Sequence, residues 1–535
     1  MRTKKVTVSP KCNEIDNSKQ CTLMKKEAEK IDEKCLQREE ERVVSRLQAA
    51  TREDDDHCAS VILLAEYAYD AARSGTNTQY KAILQVLKET LSKINQKLSS
   101  NSSSSSRMTW SYLKSLSKSA FLLALSGVSI KELFEDLSTY MLNTFYMILS
   151  KKKKRITEKI SPGDYFLIVD NLAAAGYRDT DVAITILLKK LEEQVQDGSD
   201  YRSLSDRGEL FHISGYGLQT LWLHSTKQKK IRTAQGTSAA RGNGILVFKE
   251  WEGDIPTFDN DSKQLIVDIG CGFGVTLLGM ANNDRGNGTK TGSKYNYIGC
   301  DLSVHAINYA RGLSRRWGLS ERCKYTAAPA LEFLTYLKRF YPGEIVCILI
   351  QFPSPFKFTG GDDLEPEDYR GNYNRQLPAN KDDASGFMVT PTLIKSVLEC
   401  IANRGLLYVQ SNVEDVAVFM KHTVESCAKD MQGLDLRYTH KVDKTALNCM
   451  VITSHGESQS KYNNGGHLNV NANTCTHSMT KRCKAYHATG GELAAGEGWY
   501  DQGTSPLALY ARTETETSYA IQNKNVYRIA WTAVK

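Results

Sequence analysis

The pattern of apolar and polar positions divides the chain into a helical part and a later part in which strands and helices alternate. Between about residues 58 and 228, apolar residues recur at helical spacing, and Val61–Ala72 is apolar on most faces, which predicts a packed helix. After about residue 246, short apolar runs alternate with helix-like stretches, which predicts a parallel sheet covered by helices. The predicted strands are Leu265–Ile269, Tyr297–Cys300, Ile345–Gln351, Gly405–Ser411, Cys449–Thr453 and, as an edge strand, Val526–Ala533.

Changes in composition along the chain set the predicted domain boundaries. Residues 1–56 are rich in Lys and Glu and poor in aromatics, which predicts a charged, disordered tail. Residues 57–228 form the helical domain, and a polar Gly/Ala/Thr linker follows at 229–245. Residues 246–535 form the α/β domain, in which the polar segment 454–504 is interpreted as an inserted surface loop.

Two segments of the helical domain resemble each other. Phe121–Gly127 leads into Ile130–Leu137, and Phe166–Gly176 leads into Asp181–Leu188, so each unit is a helix, a glycine and a second helix. Such units occur in helix-pair repeats that read RNA, and equally in ordinary helical bundles. The basic run Lys151–Arg155 lies between the units. It is interpreted either as a phosphate contact or nuclear-import patch, or as a solvated turn.

The composition bounds the class of protein. The 535 residues carry a net charge of +8, which is compatible with a polyanionic partner, and contain thirteen cysteines without a C-x-x-C pair. No run approaches the ~18–20 apolar residues of a membrane span, and the N-terminus lacks a secretory core. We expect an intracellular protein with reduced thiols and no membrane contact, in the cytoplasm or nucleus, with an organelle still open. No metal is expected, because the Cys and His residues of the insertion fit no familiar zinc spacing.

A glycine turn directly after the first predicted strand is the strongest sign of function. The strand ends near Asp268 and opens onto Gly270-x-Gly272-x-Gly274, and an apolar helix follows. Glycine allows a sharp turn and the close approach of a ligand at the helix N-terminus. A dinucleotide site has the spacing G-x-G-x-x-G, so the third glycine comes one residue early here. Asp301, after the second strand, is placed to accept hydrogen bonds from ribose hydroxyls. The alternatives are an ordinary loop and a solvated aspartate.

Two further segments follow the ends of predicted strands. Phe352-Pro-Ser-Pro-Phe356 comes after the strand that ends at Gln351, and its prolines predict a rigid rim where ligands bind. Ser411 ends the next strand, and Asn412 is predicted to cap the helix that follows.

With these motifs the α/β domain resembles the TrmB-type tRNA (guanine-N7)-methyltransferases, a family of class I S-adenosylmethionine (SAM)-dependent enzymes. The glycine turn, the proline motif, the Ser411–Met420 segment and Thr513-Glu-Thr-Glu516 occur in the family's order, over about residues 260–425 and 505–535. The resemblance implies a Rossmann-like domain preceded here by an all-α domain. It also implies SAM as cofactor and tRNA as partner, with an accessory protein subunit left open.

The resemblance assigns roles to residues. It implies that SAM contacts Asp268, Gly270, Gly272, Gly274, Asp301 and Gln351. It implies that the tRNA guanine contacts Phe352, Pro353, Pro355, Lys357, Ser411, Thr513 and Glu516. The residues implied in the chemistry are Ser354, Asn412, Glu414 and Asp415.

The chain departs from the family at three acidic positions. Ser354 replaces an aspartate between the prolines, Asn412 replaces an aspartate after the fifth strand, and Pro329 stands where an acidic residue usually follows the third strand. Guanine N7 carries a lone pair and no proton, so its methylation requires no general base. Carboxylates help because the product is cationic. We therefore favour an active enzyme. The alternative is an RNA-binding protein whose methyltransferase fold has lost catalysis.

Overall fold

The computed structural model confirms a Rossmann-like α/β domain preceded by helices. The residues that it describes are 57–74, 77–99, 109–151, 159–178, 180–195, 257–284, 294–353, 388–439, 484, 487–488, 490–501, 505–507, 509–522 and 524–535. The predicted tail, the linker 229–245 and the predicted strand Cys449–Thr453 lie outside these residues, as does the basic run beyond Lys151.

Six helices are described before the sheet. They are α1 (His57–Ser74), α2 (Asn77–Ser99), α3 (Trp110–Leu125), α4 (Lys131–Lys151), α5 (Pro162–Ala174) and α6 (Val182–Glu192). Helix α5 begins as its sequence suggests, with Pro162 in the first turn and Ser161 Oγ accepting a hydrogen bond from the Asp164 amide. Within the described residues, none of the helices combines the length and apolar character that a membrane crossing requires.

The sheet has seven strands in the order β3-β2-β1-β4-β5-β7-β6. Strands β1 to β5 run parallel, and β7 is antiparallel to both β5 and β6. The strands are β1 (Gln264–Ile269), β2 (Tyr295–Asp301), β3 (Cys323–Ala327), β4 (Ile345–Gln351), β5 (Ile401–Ser411), β6 (Asp435–Tyr438) and β7 (Tyr527–Val534). The prediction of an edge strand near residue 526 is wrong in one respect, because β6 pairs with the outer side of β7 and takes the edge.

Helices cover both faces of the sheet. Along β1, alternate residues enter two separate cores, with Ile266 in one and Val267 in the other, as the two-residue period of a strand requires. The first core is continuous with the core of the helical region, so this region packs as a unit on this side of the sheet domain. The later helices are α7 (Val275–Asn283), α8 (Val304–Arg316), α9 (Ala330–Phe340), α10 (Pro391–Cys400), α11 (Glu414–Lys429) and α12 (Glu514–Ile521).

Helix α8 joins the helical region to the sheet domain through the C-terminal end of α5. The Tyr309 hydroxyl donates to the Ala174 carbonyl at 2.8 Å, Arg316 Nη2 to Ala175 O at 2.5 Å and Trp317 Nε1 to Gly176 O at 2.9 Å. The last carbonyls of a helix have no partner within the helix, so these three donors satisfy groups that would otherwise be buried without a hydrogen bond.

The glycines of both predicted helix–glycine–helix units end a helix and lie against α8. Gly127 and Gly176 have φ of +77° and +78°. A Cβ added to Gly127 would lie 2.8 Å from the Asn308 carbonyl oxygen, and one added to Gly312 would lie 2.9 Å from Gly127 O. The two backbones therefore approach more closely than any side chain would allow. The paired units use their turns to dock on the sheet domain.

The end of the predicted insertion is packed against the sheet domain. Trp499 is buried and forms an isolated bridge with Ile529 of β7. The Ala494 amide donates to Glu414 Oε1 at 3.0 Å. Residues 490–501 therefore cover the end of the sheet near β7, whereas 454–483 lie outside the described residues.

Gly127→Ala tests the close approach of the turn to α8. The substitution should lower the free energy of unfolding by about 1–2 kcal/mol for the left-handed backbone, and by about 1–3 kcal/mol more for the clash with Asn308. Gly433→Ala is the matched control, because Gly433 has φ of +78° and nothing within 4 Å of an added Cβ. Chemical denaturation of both variants measures the difference. Equal losses would contradict the proposed interface.

Candidate active site

The glycine turn lies at the carboxyl end of β1, which pairs with β2 on one side and β4 on the other. From β1 the chain continues to β2 and β3 on one side and then crosses to β4 and β5 on the other. Open α/β sheets form their ligand crevice at such a switch point. Asp268, Asp301 and Gln351 lie at or near the carboxyl ends of these three strands. The predicted cofactor residues are therefore brought together at one edge of the sheet.

Gly274 can only be glycine in this arrangement. It precedes α7 with φ of +69°, and an added Cβ would lie 2.3 Å from Tyr325 Cε1 and 2.8 Å from the Ala310 side chain. The Tyr325 hydroxyl donates to the Gly274 carbonyl at 2.8 Å. The third glycine thus fixes the turn against β3 and α8, which holds the N-terminus of α7 in place.

Asp301 stabilises the turn directly. Its Oδ2 accepts a hydrogen bond from the Gly272 amide at 2.9 Å, and its Oδ1 accepts one from the Ser303 amide at 2.7 Å. The carboxylate is half-exposed at the end of β2. At the end of the second strand, an acidic residue can also accept hydrogen bonds from the hydroxyls of a ribose.

A chain of buried polar side chains runs across the ends of the strands. Gln351 Nε2 donates to Thr276 Oγ1 at 3.2 Å and to the Asp268 carboxylate at 3.3 Å. Gln410 Nε2 donates to Gln351 Oε1 at 2.7 Å and to Glu516 Oε2 at 3.3 Å. Gln351 was predicted to contact the cofactor, but it is only 5% exposed. Its position links β1, β4 and β5.

Asp268 also has almost no exposed surface. Its pKa is raised to about 8, chiefly by burial; the hydrogen bond from Gln351 opposes the shift, and the charges of Glu514 and Asp301 add to it. Three carboxyl groups therefore influence one another around the glycine turn. A cation bound there would relieve their repulsion.

Thr513 and Glu516 differ from the prediction that both contact the substrate. Thr513 caps α12, because its hydroxyl accepts a hydrogen bond from the Glu516 amide at 3.0 Å. Glu516 has no exposed surface, and Arg528 Nη2 donates to its Oε1 at 3.0 Å. Burial alone would raise the pKa of Glu516, but Arg528 and Arg512 hold it below its ordinary value. In this structure the motif caps and anchors a helix.

The turn after β5 also differs from the prediction. Asn412 does not cap α11: the N-cap is Val413, whose amide donates to Ser411 Oγ at 3.1 Å. Ser411, predicted to contact the base, is 1% exposed, and Asp415 is 6% exposed. The short side chain of Ser411 therefore organises the turn from inside.

Glu414 is held by the segment that covers this turn. His487 Nε2 lies 2.6 Å from Glu414 Oε2, and the Tyr527 hydroxyl donates to the same oxygen at 3.2 Å. Glu414 is 5% exposed. The predicted catalytic carboxylate thus ties residues 487–501 to α11, a contact that the Cys/His content of the insertion did not predict.

The backbone at the predicted substrate rim is strained. Phe352 has φ of +50°, which is rare for a residue with a Cβ, and its amide donates to the Gln410 carbonyl at 2.8 Å. Backbone strain of this kind is concentrated at functional sites. Pro353 is buried beside it, whereas Ser354, Pro355 and Lys357 lie outside the described residues.

Glu514 is a site residue that the sequence reasoning missed. A Cβ added to Gly272 would lie 3.5 Å from Glu514 Oε1, so this carboxyl group faces the glycine turn. The signal was its position directly after Thr513, in the first turn of a helix. Pro329 is located as expected, after β3 at the start of α9. No group of three metal-binding side chains occurs among the described residues.

Comparisons with known proteins give only distant matches. No protein-family model matches the chain. No curated protein matches it either. Among solved structures, the chain is similar to TrmN from Thermus thermophilus, at 17% identity and a TM-score of 0.20, over 33% of this chain and 39% of that one. It is also similar to Haemonchus contortus phosphoethanolamine N-methyltransferase 2 in complex with S-adenosyl-L-methionine, at 12% identity and a TM-score of 0.21, over 52% of this chain and 50% of that one.

A third similar structure is the O-methyltransferase from Bacillus cereus in complex with SAH, at 13% identity and a TM-score of 0.22, over 35% of this chain and 70% of that one. The chain thus spans about two fifths of the TrmN structure. Similarities at such low identity and TM-score do not indicate a cofactor or a substrate for this protein.

The raised pKa of Asp268 predicts how stability changes with pH. The folded state keeps a proton up to about pH 8, whereas the unfolded chain releases it near the ordinary value of 3.8. The stabilisation is complete below 3.8 and is lost as the pH rises through 8. Relative to Asp268→Asn, the ligand-free wild type should therefore lose free energy of unfolding between pH 5 and 9.

Chemical denaturation at several pH values measures this difference. Asp259→Asn, at an exposed position before β1, controls for the change in net charge. A constant difference between wild type and Asp268→Asn across the range would contradict the buried, protonated state.

Proposed function

We propose that this protein is a SAM-dependent methyltransferase that modifies guanine N7 in tRNA. The observation that carries the cofactor assignment is the glycine turn at the β1 switch point, with Asp301 bonded to Gly272 and Glu514 facing the turn. The turn is shaped for close approach of a ligand, and its surroundings are acidic.

The acidic surroundings favour SAM over a dinucleotide. A pyrophosphate seated on the turn would lie near the carboxylates of Asp301 and Glu514, whose charges already contribute to the raised pKa of the buried Asp268. SAM has no phosphate and carries a cationic sulfonium and an ammonium group, so the same carboxylates would attract it.

The finer assignment to guanine N7 of tRNA rests on the four ordered sequence motifs and on the mildly basic chain. Guanine N7 attacks without losing a proton. A site made of a rigid rim and a fixed turn can therefore supply much of the rate by positioning and by excluding water. Phe352 and Pro353 provide that rim at the end of β4. SAM, when bound, supplies the electrophilic methyl group.

A second candidate function is an RNA-binding protein without catalysis. The observation that favours it is the engagement of Glu414 and Glu516 by internal partners, which removes two of the carboxylates assigned to the site. Binding and transfer assays separate the two candidates.

The wild type should bind SAM with micromolar affinity. Asp301→Ala should weaken binding by about 1–3 kcal/mol, because hydroxyls desolvated in the site would lose their acceptor. Isothermal titration calorimetry measures both, and Asp259→Ala controls for the lost charge on the surface. No heat of binding with the folded wild type would reject the enzyme and leave the second candidate.

The purified protein should transfer methyl groups from SAM to tRNA. Nucleoside mass spectrometry of the tRNA should show N7-methylguanosine, with unmodified tRNA and SAH as blanks. If lost charge limits the rate, Ser354→Asp should increase it, by up to the ~10²–10³ that one such group is worth. Methyl transfer to a different base would reject the guanine-N7 assignment and retain the methyltransferase.

Phe352→Asn separates the strained rim from general stability. Asparagine tolerates a left-handed backbone, so the free energy of unfolding should change by less than about 1–2 kcal/mol. Methyl transfer to tRNA should nevertheless fall by at least about tenfold, because the aromatic rim is lost. Arg404→Asn is the matched control, since Arg404 also has a positive φ of 62° but lies in the first half of β5. Equal activities of the two variants would reject the role of Phe352.

A further inference from the structure

The C-terminal helix is built against the glycine turn. A 3₁₀ turn at Leu509–Ala511 precedes α12 and lies on α7. A Cβ added to Gly279 of α7 would overlap the Tyr510 carbonyl oxygen at 1.9 Å, so only glycine allows this approach. The segment that delivers α12 is therefore fixed to the same helix that begins at the glycine turn.

Helix α12 is anchored at its first turn as well. Thr513 caps it, and the buried Glu516 carboxylate is paired with Arg528 of β7 and bonded to Gln410 of β5. Breaking such a buried pair leaves an uncompensated buried charge, which is strongly destabilising. Glu514 lies between these two anchors, so its backbone position is well determined.

Glu514 faces the turn at the place where it would meet a ligand. Its Oε1 lies 3.5 Å from the position of a Cβ on Gly272, whose amide donates to Asp301. Glu514 and Asp301 thus flank the same residue. The Glu514 side chain is half-exposed, and after burial its charge adds to the raised pKa of Asp268 at the end of β1.

We propose that the Glu514 carboxylate accepts hydrogen bonds from the ammonium group of the methionine part of SAM. This inference rests on the proposed cofactor. Asp301 on β2 is placed for the ribose, so Glu514, the other carboxyl group beside Gly272, is available to the amino-acid part of the cofactor. The sulfonium has no N–H to donate, whereas the ammonium forms charge-assisted hydrogen bonds with a carboxylate. Helix α12 is in this way part of the cofactor site.

Calorimetry of the full chain with three adenosine ligands tests the proposal. SAM and S-adenosylhomocysteine both carry the ammonium group, whereas 5′-methylthioadenosine lacks the whole amino-acid part. Glu514→Gln keeps the size of the side chain and removes its charge. It should weaken SAM and S-adenosylhomocysteine alike, by roughly tenfold to a hundredfold, and leave 5′-methylthioadenosine unchanged.

Two control variants accompany the measurement. Asp301→Asn should weaken all three ligands, because each contains the ribose. Glu497→Gln removes an exposed carboxylate from the same C-terminal region and should change none. Thermal melting confirms that each variant is folded.

The outcomes separate the proposal from the cofactor assignment. Unchanged affinity of Glu514→Gln for SAM would overturn the role of Glu514 and leave the cofactor in place. Weakening of SAM alone would show that the carboxylate senses the sulfonium, which also overturns the proposal. Absence of binding of all three ligands to the wild type would overturn the cofactor assignment and the proposal together.

Discussion

The buried ion pair between Glu516 and Arg528 is the constraint on which the active-site edge depends. Both side chains are withdrawn from water, and Glu516 is 0% exposed. A buried pair of this kind contributes less net stability than its Coulomb attraction suggests, but removing either partner is costly. Its consequence is geometric. It fixes α12 to β7, and through Gln410 and Gln351 it extends to Asp268 under the glycine turn. The edge of the sheet is thus held by one connected polar chain.

A second constraint acts from the other side of the turn. Helix α8 begins after Asp301 and receives the end of α5, where Tyr309, Arg316 and Trp317 satisfy three successive carbonyls. Tyr309 also packs edge-on against Phe273 within the glycine turn, with ring centroids 5.3 Å apart. The helical region therefore supports the glycine turn through α8. This gives the helices a structural role in the site that is independent of RNA contact.

The sequence predicted strands β1, β2, β4, β5 and β7 and the glycine turn because these depend on local pattern, whereas β3 and β6 were not among the predicted strands. A buried parallel strand is recognised as a short apolar run. The glycine turn is recognised by three closely spaced glycines, each of which has a positive φ in the structure. The errors concern partners that are distant in the chain. Glu414 was assigned to the chemistry and Glu516 to the substrate because their neighbours match a motif, but Glu414 lies against His487 and Glu516 pairs with Arg528. Ser411 Oγ accepts a hydrogen bond from the Val413 amide, and Val413, not Asn412, is the N-cap of α11. Glu514 follows Thr513 in the sequence, but its place beside Gly272 depends on how α12 packs.

Hydrogen–deuterium exchange with and without SAM tests most directly the claim that the glycine turn and α12 form one cofactor site. We predict that SAM slows exchange at the amides of Gly270–Val275 and, in the same concentration range, across Glu514–Ile521, while exchange in the distant strand β6 is unchanged. Protection of the glycine turn without protection of α12 would contradict the joint site. Protection confined to regions away from both would contradict the location of the cofactor itself.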